Sequence, residues 1–132
     1  WSRQNRSQLV RLPSAHGEFC RVELRGPDPA GNPYLVIGLI LAAGLDGIQR
    51  KLPLPEAVNR NLFHPSAAVG LDSLPRTLRE AITVAGQSEF ISAELPVALQ
   101  NKYFEYQTQL CHAAESAPDT DSWERAHSFL II

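Results

Sequence analysis

A period of two marks the first part of the chain. In Phe19-Cys20-Arg21-Val22-Glu23-Leu24-Arg25 the charged residues Arg21, Glu23 and Arg25 share one face, while Val22 and Leu24 take the other, as in a strand. Gln8-Leu9-Val10-Arg11-Leu12 reads as a second short strand, ended by Pro13. The strands, over about 8–25, can pair as a hairpin that carries Arg11 to the charged face. Pro27, Asp28, Pro29 and Gly31 then turn the chain. Asn32 followed by Pro33 is a helix start, a capping side chain before proline at the first helical position. The helix predicted over about 33–50 is apolar on nearly every face (Tyr34, Leu35, Val36, Ile37, Leu39, Ile40, Leu41, Leu45, Ile48). That pattern describes a helix buried in a core.

Residues 52–73, with Pro53, Pro55, Pro65 and Gly70, keep no period and read as a long ordered loop. Helical spacing returns at Leu78, Ala81, Ile82 and Ala85, giving a helix over about 76–86. Ser88 can cap a short segment holding Phe90, Ile91 and Leu95. The longest helix is expected over about 96–114, with Val97, Leu99, Tyr103, Tyr106 and Leu110 inward. A last turn or helix is expected over about 122–130, through Trp123 and Phe129 and on to Ile132. Short antiparallel strands followed by a mainly helical C-terminal part make an α+β chain, read as one domain over residues 1–132.

The net charge of −2 over 132 residues is unremarkable, but its distribution is not. Residues 1–25 carry five arginines (Arg3, Arg6, Arg11, Arg21, Arg25) against Glu18 and Glu23, while the rest carries seven basic against twelve acidic residues. An arginine-only head on an acidic body suits an anion, because the guanidinium fork matches phosphate and carboxylate. The acidic body and two lysines argue against a nucleic-acid partner. The longest apolar stretch, 34–45, is too short to span a membrane, which takes ~20 residues. Cys20 and Cys111 make neither a disulfide framework nor a four-cysteine zinc site, and Cys20 is expected to be a small buried hydrophobe. His16, His64, His112 and His127 lack metal-ligand spacing. With a polar N-terminus unlike a signal peptide, a cytoplasmic location is expected. No Met occurs and the first residue is Trp1, so a piece of something longer is expected.

Arg-x-Glu-x-Arg over 21–25 sets an anion between two cations. As exposed ion pairs these contribute only ~0–1 kcal/mol each. As a substrate wall they do more: a carboxylate held there stays ionised and can ligate Mg2+ or Mn2+, while the guanidiniums hold phosphate or carboxylate oxygens.

Asn5-Arg6-Ser7, Arg11-Leu12-Pro13, Arg21-Val22-Glu23-Leu24-Arg25, Asp28-Pro29, Asn32-Pro33-Tyr34-Leu35 and Ala43-Gly44-Leu45-Asp46-Gly47-Ile48 follow one another in an order that resembles the C-terminal part of the catalytic domain of bacterial-type glutamine synthetase. Lys51-Leu52-Pro53 and Asn61-Leu62-Phe63 continue the likeness. The resemblance implies ATP phosphate and substrate contact for Arg6, with a catalytic role, and nucleotide contact for Arg11 and Arg21. It implies a divalent-metal ligand in Glu23 and a clamp on the glutamate carboxylate in Arg25. The implied reaction joins glutamate and ammonia at the expense of ATP through γ-glutamyl phosphate. The implied assembly is a hexameric ring, doubled to a dodecamer, in which adjacent subunits share sites.

Phe63 stands where enterobacterial-type members carry an adenylylated tyrosine, and without a hydroxyl that switch cannot operate there. Glu18 falls where some members have a lysine near ATP. The family's site also needs further carboxylates, a metal-binding histidine, a flap glutamate and another arginine, so the chain alone is expected to be inactive. Two other functions stay open: a γ-glutamyl ligase with an amine or polyamine acceptor, and a non-catalytic structural domain of the same fold.

Overall fold

The computed structural model describes residues 1–129. The chain forms two compact units, Trp1–Ser73 and Leu74–Ile132.

Unit 1 is built on a three-stranded sheet of order β1-β2-β3, with β1 at Ser2–Arg3, β2 at Val10–Leu12 and β3 at Glu23–Leu24. The expected hairpin is present: β2 and β3 run antiparallel with Val10 opposite Leu24 and Arg11 opposite Glu23. Its regular strands are shorter than expected. Residues 20–22 lie outside β3, and the ladder continues beyond it only through the Arg25 N–H on the Leu9 carbonyl, 2.8 Å. The two-residue β1 adds a parallel neighbour to β2, Ser2 opposite Arg11, which no period in so short a stretch announces. Cys20 is exposed, contrary to expectation, because it precedes the strand and its thiol donates to the Ala15 carbonyl at 3.3 Å.

The 17-residue helix α1, Pro33–Gln49, starts as the sequence dictates: the Asn32 side chain accepts from the amides of Tyr34 and Leu35. Before it, the Gly31 amide donates to the Asp28 carbonyl at 2.9 Å. A Cβ at Gly31 would lie 3.0 Å from that oxygen. The expected burial of α1 is not found. No residue of α1 is buried, and Tyr34 and Ile48 are 86% and 73% exposed. Only a stripe through Leu35, Val36, Leu39, Ala42, Asp46 and Gly47 is half-buried. An all-apolar circumference states what a helix wants, not what covers it.

The end of α1 is a Schellman turn. Lys51 takes φ 51°, its amide reaches the Ile48 carbonyl at 3.2 Å, and the Leu52 amide reaches the Gly47 carbonyl at 3.0 Å. A left-handed backbone costs a non-glycine residue ~1–2 kcal/mol, whereas glycine gives up ~0.5–1 kcal/mol of chain entropy. Lys51→Gly is therefore expected to stabilise the helix end by about 0.5–1 kcal/mol, read as a higher urea midpoint by circular dichroism.

Residues 52–73 are a loop with one 3-10 turn at Pro65–Ala67, stitched to the N-terminal segment. The Trp1 indole donates to the Pro55 carbonyl (2.7 Å). The Val58 amide donates to the Trp1 carbonyl (2.9 Å), and the Gln8 amide side chain donates to the Val58 carbonyl (2.8 Å). Ser2 and Gln8 are accordingly buried.

Unit 2 is helical: α2 at Leu78–Gly86, α3 at Glu89–Glu94, α4 at Val97–Glu115 and α5 at Thr120–Glu124, then a π-helical turn at Arg125–Phe129. Thr77, Ser88 and Asp119 cap α2, α3 and α5 with their side chains. The last expected helix, 122–130, is thus a short α-helix running into a π turn. Its end at 130, and Ile132, lie outside the described residues. Trp123 stacks on His127, centroids 4.2 Å apart and planes 12° apart.

Helix α4 packs on α2 and α5. Its inner face passes through Gln100, Tyr103, Phe104, Gln107, Cys111 and Ala114, so Val97, Leu99 and Tyr106 are exposed rather than inward. Cys111, 6% exposed, is the one buried apolar side chain among the described residues. Arg79 of α2 forks onto Glu115 of α4, Nε to Oε1 at 3.0 Å and Nη2 to Oε2, and the Cys111 thiol donates to Oε1 at 3.3 Å. The guanidinium, followed by that thiol, lowers the Glu115 carboxyl from an ordinary 4.5 to about 2. A depressed carboxyl contributes stability above its unfolded value and loses it as pH falls through the folded one. Glu115→Gln is therefore expected to lower the melting temperature at pH 7, with the difference from wild type closing between about pH 4.5 and 2. As the pair is half exposed, 1 M salt shrinks the difference too.

Candidate anion-binding site

Register brings the charged residues together. Because Arg11 and Glu23 are paired across the β2–β3 ladder, their side chains leave the same face, where Arg11 Nη1 donates to Glu23 Oε2 at 2.8 Å. Arg21 folds back from just before β3 and donates to the other oxygen, Oε1, from Nε at 3.2 Å and Nη2 at 3.0 Å. Arg11 is further fixed by Nε on the Gln4 carbonyl, 3.2 Å away. Gln4 turns that carbonyl inward from a left-handed backbone, φ 63°.

The carboxylate between two guanidiniums is held below the ordinary carboxyl range, chiefly by the hydrogen bond from Arg11; burial opposes this and is the next largest effect, and the bond from Arg21 with the charges of both arginines adds to the lowering. It is ionised at neutral pH. Arg11 and Glu23 are largely covered, 15% and 25% exposed, while the Arg21 side chain is 55% exposed.

Arg6 lies in the turn between β1 and β2, and Arg25 just past β3; both are exposed. Among the described residues neither makes an ion pair. Of the five residues singled out from the sequence, the structure therefore joins Arg11, Arg21 and Glu23 in one network and leaves the guanidiniums of Arg6 and Arg25 open. Asn5 and Ser7, which order the Arg6 turn, are the residues that sequence reasoning passed over. Their signal was a hydrogen-bonding side chain on each side of a single arginine.

A divalent cation takes six or more oxygens, most of them carboxylate, carbonyl or water. Among the described residues no group of three acidic, histidine or cysteine side chains stands close enough to hold one. Glu23 has about four lone-pair positions, and three already accept from Arg11 and Arg21. One position remains, so these residues make no metal cage by themselves and can supply a single ligand to one.

The arginine-lined strand pair thus carries one fixed carboxylate and two open guanidiniums, groups whose chemistry suits anions. Residues 1–126 match the protein family described as the glutamine synthetase catalytic domain. The chain is 41% identical to the glutamine synthetase of Methanococcus voltae over 128 residues, covering 94% of this chain and 28% of that protein. It is 43% identical over 107 residues to the glutamine synthetase of Staphylococcus aureus strain MW2, covering 78% of this chain and 24% of that protein. The chain belongs to the glutamine synthetase catalytic-domain family. It spans about a quarter of the length of these curated relatives.

Proposed function

We propose that this chain forms the nucleotide- and glutamate-facing wall of a glutamate–ammonia ligase. In the first step a γ-carboxylate oxygen of glutamate attacks the terminal phosphorus of ATP and ADP leaves, giving γ-glutamyl phosphate. In the second, ammonia attacks the acyl carbon, phosphate leaves, and the nitrogen loses a proton to give glutamine. Negative charge gathers on the transferring phosphoryl group and then on departing phosphate, so fixed cations around it lower the barrier. Arg6, Arg11 and Arg21 are assigned to that charge, Arg6 touching the phosphate and substrate directly. Arg25 is assigned to the glutamate carboxylate, where a bidentate fork gives orientation as well as affinity.

Mg2+ or Mn2+ belongs to this reading, with Glu23 as one ligand and the others supplied by further segments. The observation that carries the reading is the Arg11–Glu23–Arg21 network, at positions to which the family's motif gives these roles. A homo-oligomer, a dodecamer by family analogy, and a cytoplasmic location complete the proposal. Among the described residues no helix is long and apolar enough to cross a membrane.

The test is phosphate release by the natural protein from ATP, glutamate and Mg2+, with ammonia or an amine as acceptor. Ammonia-dependent turnover supports the ligase. Turnover only with an amine or polyamine moves the activity to a related γ-glutamyl ligase, and silence with every acceptor leaves a structural domain.

A further inference from the structure

The turn that presents Arg6 is held from both sides by hydrogen bonds that contribute nothing to the charged network. Asn5 Oδ1 accepts from the Ser7 amide at 3.0 Å and from the Ser7 hydroxyl at 2.8 Å, closing a local ring around the Arg6 backbone. Both side chains also reach a distant segment. Asn5 Nδ2 donates to the Arg60 carbonyl at 2.8 Å, and Ser7 Oγ accepts from the Leu62 amide at 2.9 Å. From behind, the hydroxyl of Ser2, which is fully buried, lies 3.4 Å from the Asn5 carbonyl. Asn5, Ser7 and Leu62 are half-buried while Arg6 between them is exposed. The alternation puts the two polar side chains inward and the guanidinium outward.

We infer that Asn5 and Ser7 are positioning residues, a two-point clamp through which segment 60–62 sets the direction of Arg6. The inference rests on the ligase reading for what Arg6 does, but not for the clamp itself. An exposed arginine on a free turn loses several rotatable bonds of freedom each time it grips a phosphate; a backbone fixed at both neighbours removes part of that loss beforehand. The side chains suit the task. Asn5 uses its carbonyl and its amide at once, and the Ser7 hydroxyl donates to one partner while accepting from another. Alanine at position 7 leaves the half-buried Leu62 amide without its partner, and alanine at position 5 releases the exposed Arg60 carbonyl. Segment 60–62 is thereby coupled, through Asn5 and Ser7, to the turn that presents Arg6.

The experiment compares wild type, Ser7→Ala, Ser7→Thr, Arg6→Ala and the double variant Arg6→Ala/Ser7→Ala in the natural protein. Two readouts are taken: exchange of the Leu62 amide, and kcat and the ATP KM separately. Ser7→Ala is expected to speed Leu62 exchange at least tenfold and to lower kcat/KM for ATP about tenfold. Ser7→Thr, which keeps the hydroxyl, is expected to restore most of both. In the Arg6→Ala background the Ser7 substitution is expected to have no further effect on turnover, because it acts through that guanidinium. Equal losses with and without Arg6 would overturn the positioning role, since a general weakening of the fold adds independently. An unchanged Leu62 exchange rate in Ser7→Ala would overturn the clamp. Absence of turnover in wild type would instead overturn the ligase reading, and amide exchange would still decide the clamp.

Discussion

Glu23→Gln in the natural protein is expected to lower ammonia-dependent turnover by about 10²–10³-fold, the loss typical when one fixed group is removed from a charge-stabilising site. The reason lies in the geometry of β2 and β3. The carboxylate takes one guanidinium on each oxygen, Arg11 at 2.8 Å and Arg21 at 3.0 Å, so it sets where both cations stand. Its single free lone pair is also the one position offered to a metal. Glutamine keeps the shape of the side chain but removes the charge, and its amide nitrogen points donors at a guanidinium that has only donors. Glu23→Ala goes further and leaves Arg11, 15% exposed, largely covered without a counter-ion, so it is expected to lower the melting temperature as well. Steady-state kinetics of both variants beside their melting curves separates the two effects. Turnover by Glu23→Gln within tenfold of wild type would remove the carboxylate from the site. The pairing also has a pH signature. Its depressed carboxyl contributes stability at and above the ordinary carboxyl range, and loses it as pH falls through the lower folded value.

Arg25→Ala is expected to raise the KM for glutamate about 10–100-fold while leaving that for ATP near its original value. Arg25 is the one arginine of the Arg-x-Glu-x-Arg run whose guanidinium makes no ion pair among the described residues, although its backbone is tied to Leu9 at 2.8 Å. A charge-assisted hydrogen bond contributes ~1.5–3 kcal/mol, which sets that range of fold-change. Arg25→Lys keeps the charge but loses the fork, so an intermediate value is expected. Initial rates with glutamate and ATP varied in turn measure it; equal increases for both substrates would contradict a glutamate-side clamp.

Much of the local structure could be read from single residues, because the chemistry that forms it is local. Asn32-Pro33, Thr77 and Ser88 start helices where their side chains satisfy the first amides. The alternation over 21–25 beside a second short strand announced a hairpin that brings Arg11 to the charged face, and the structure fixes its register with Arg11 opposite Glu23. What could not be read depends on distant partners. β1 is two residues long and exists because β2 offers it an edge. The inner face of α4 includes Gln100 and Gln107, so hydropathy chose Val97, Leu99 and Tyr106 instead. The Gln100 side chain is inward because it caps the end of α3, donating to the Leu95 carbonyl at 2.6 Å. Cys20 looked like a core residue from its alternation with Arg21, but the regular strand begins three residues later. Of the candidate site, alternation and charge pointed to Arg21, Glu23 and Arg25 with Arg11 beside them, and the family resemblance singled out Arg6; the contacts around Arg6 were hidden because their partners, Arg60 and Leu62, lie some fifty-five residues away in sequence.

That separation also governs the order in which the two units form. In unit 2 the helices are local structures, and their cross-helix fork, Arg79 to Glu115, closes a span of 36 residues. In unit 1 the indole of Trp1 must find Pro55, 54 positions away, before the N-terminal segment is held. Closing so long a loop costs entropy that no contact repays until the ends meet. The helices of unit 2 and the β2–β3 hairpin, whose Arg11–Glu23 pair spans only 12 residues, are therefore expected to form early, whereas the turn that presents Arg6 is expected to be fixed last, once the chain through residue 62 has come back to its own beginning.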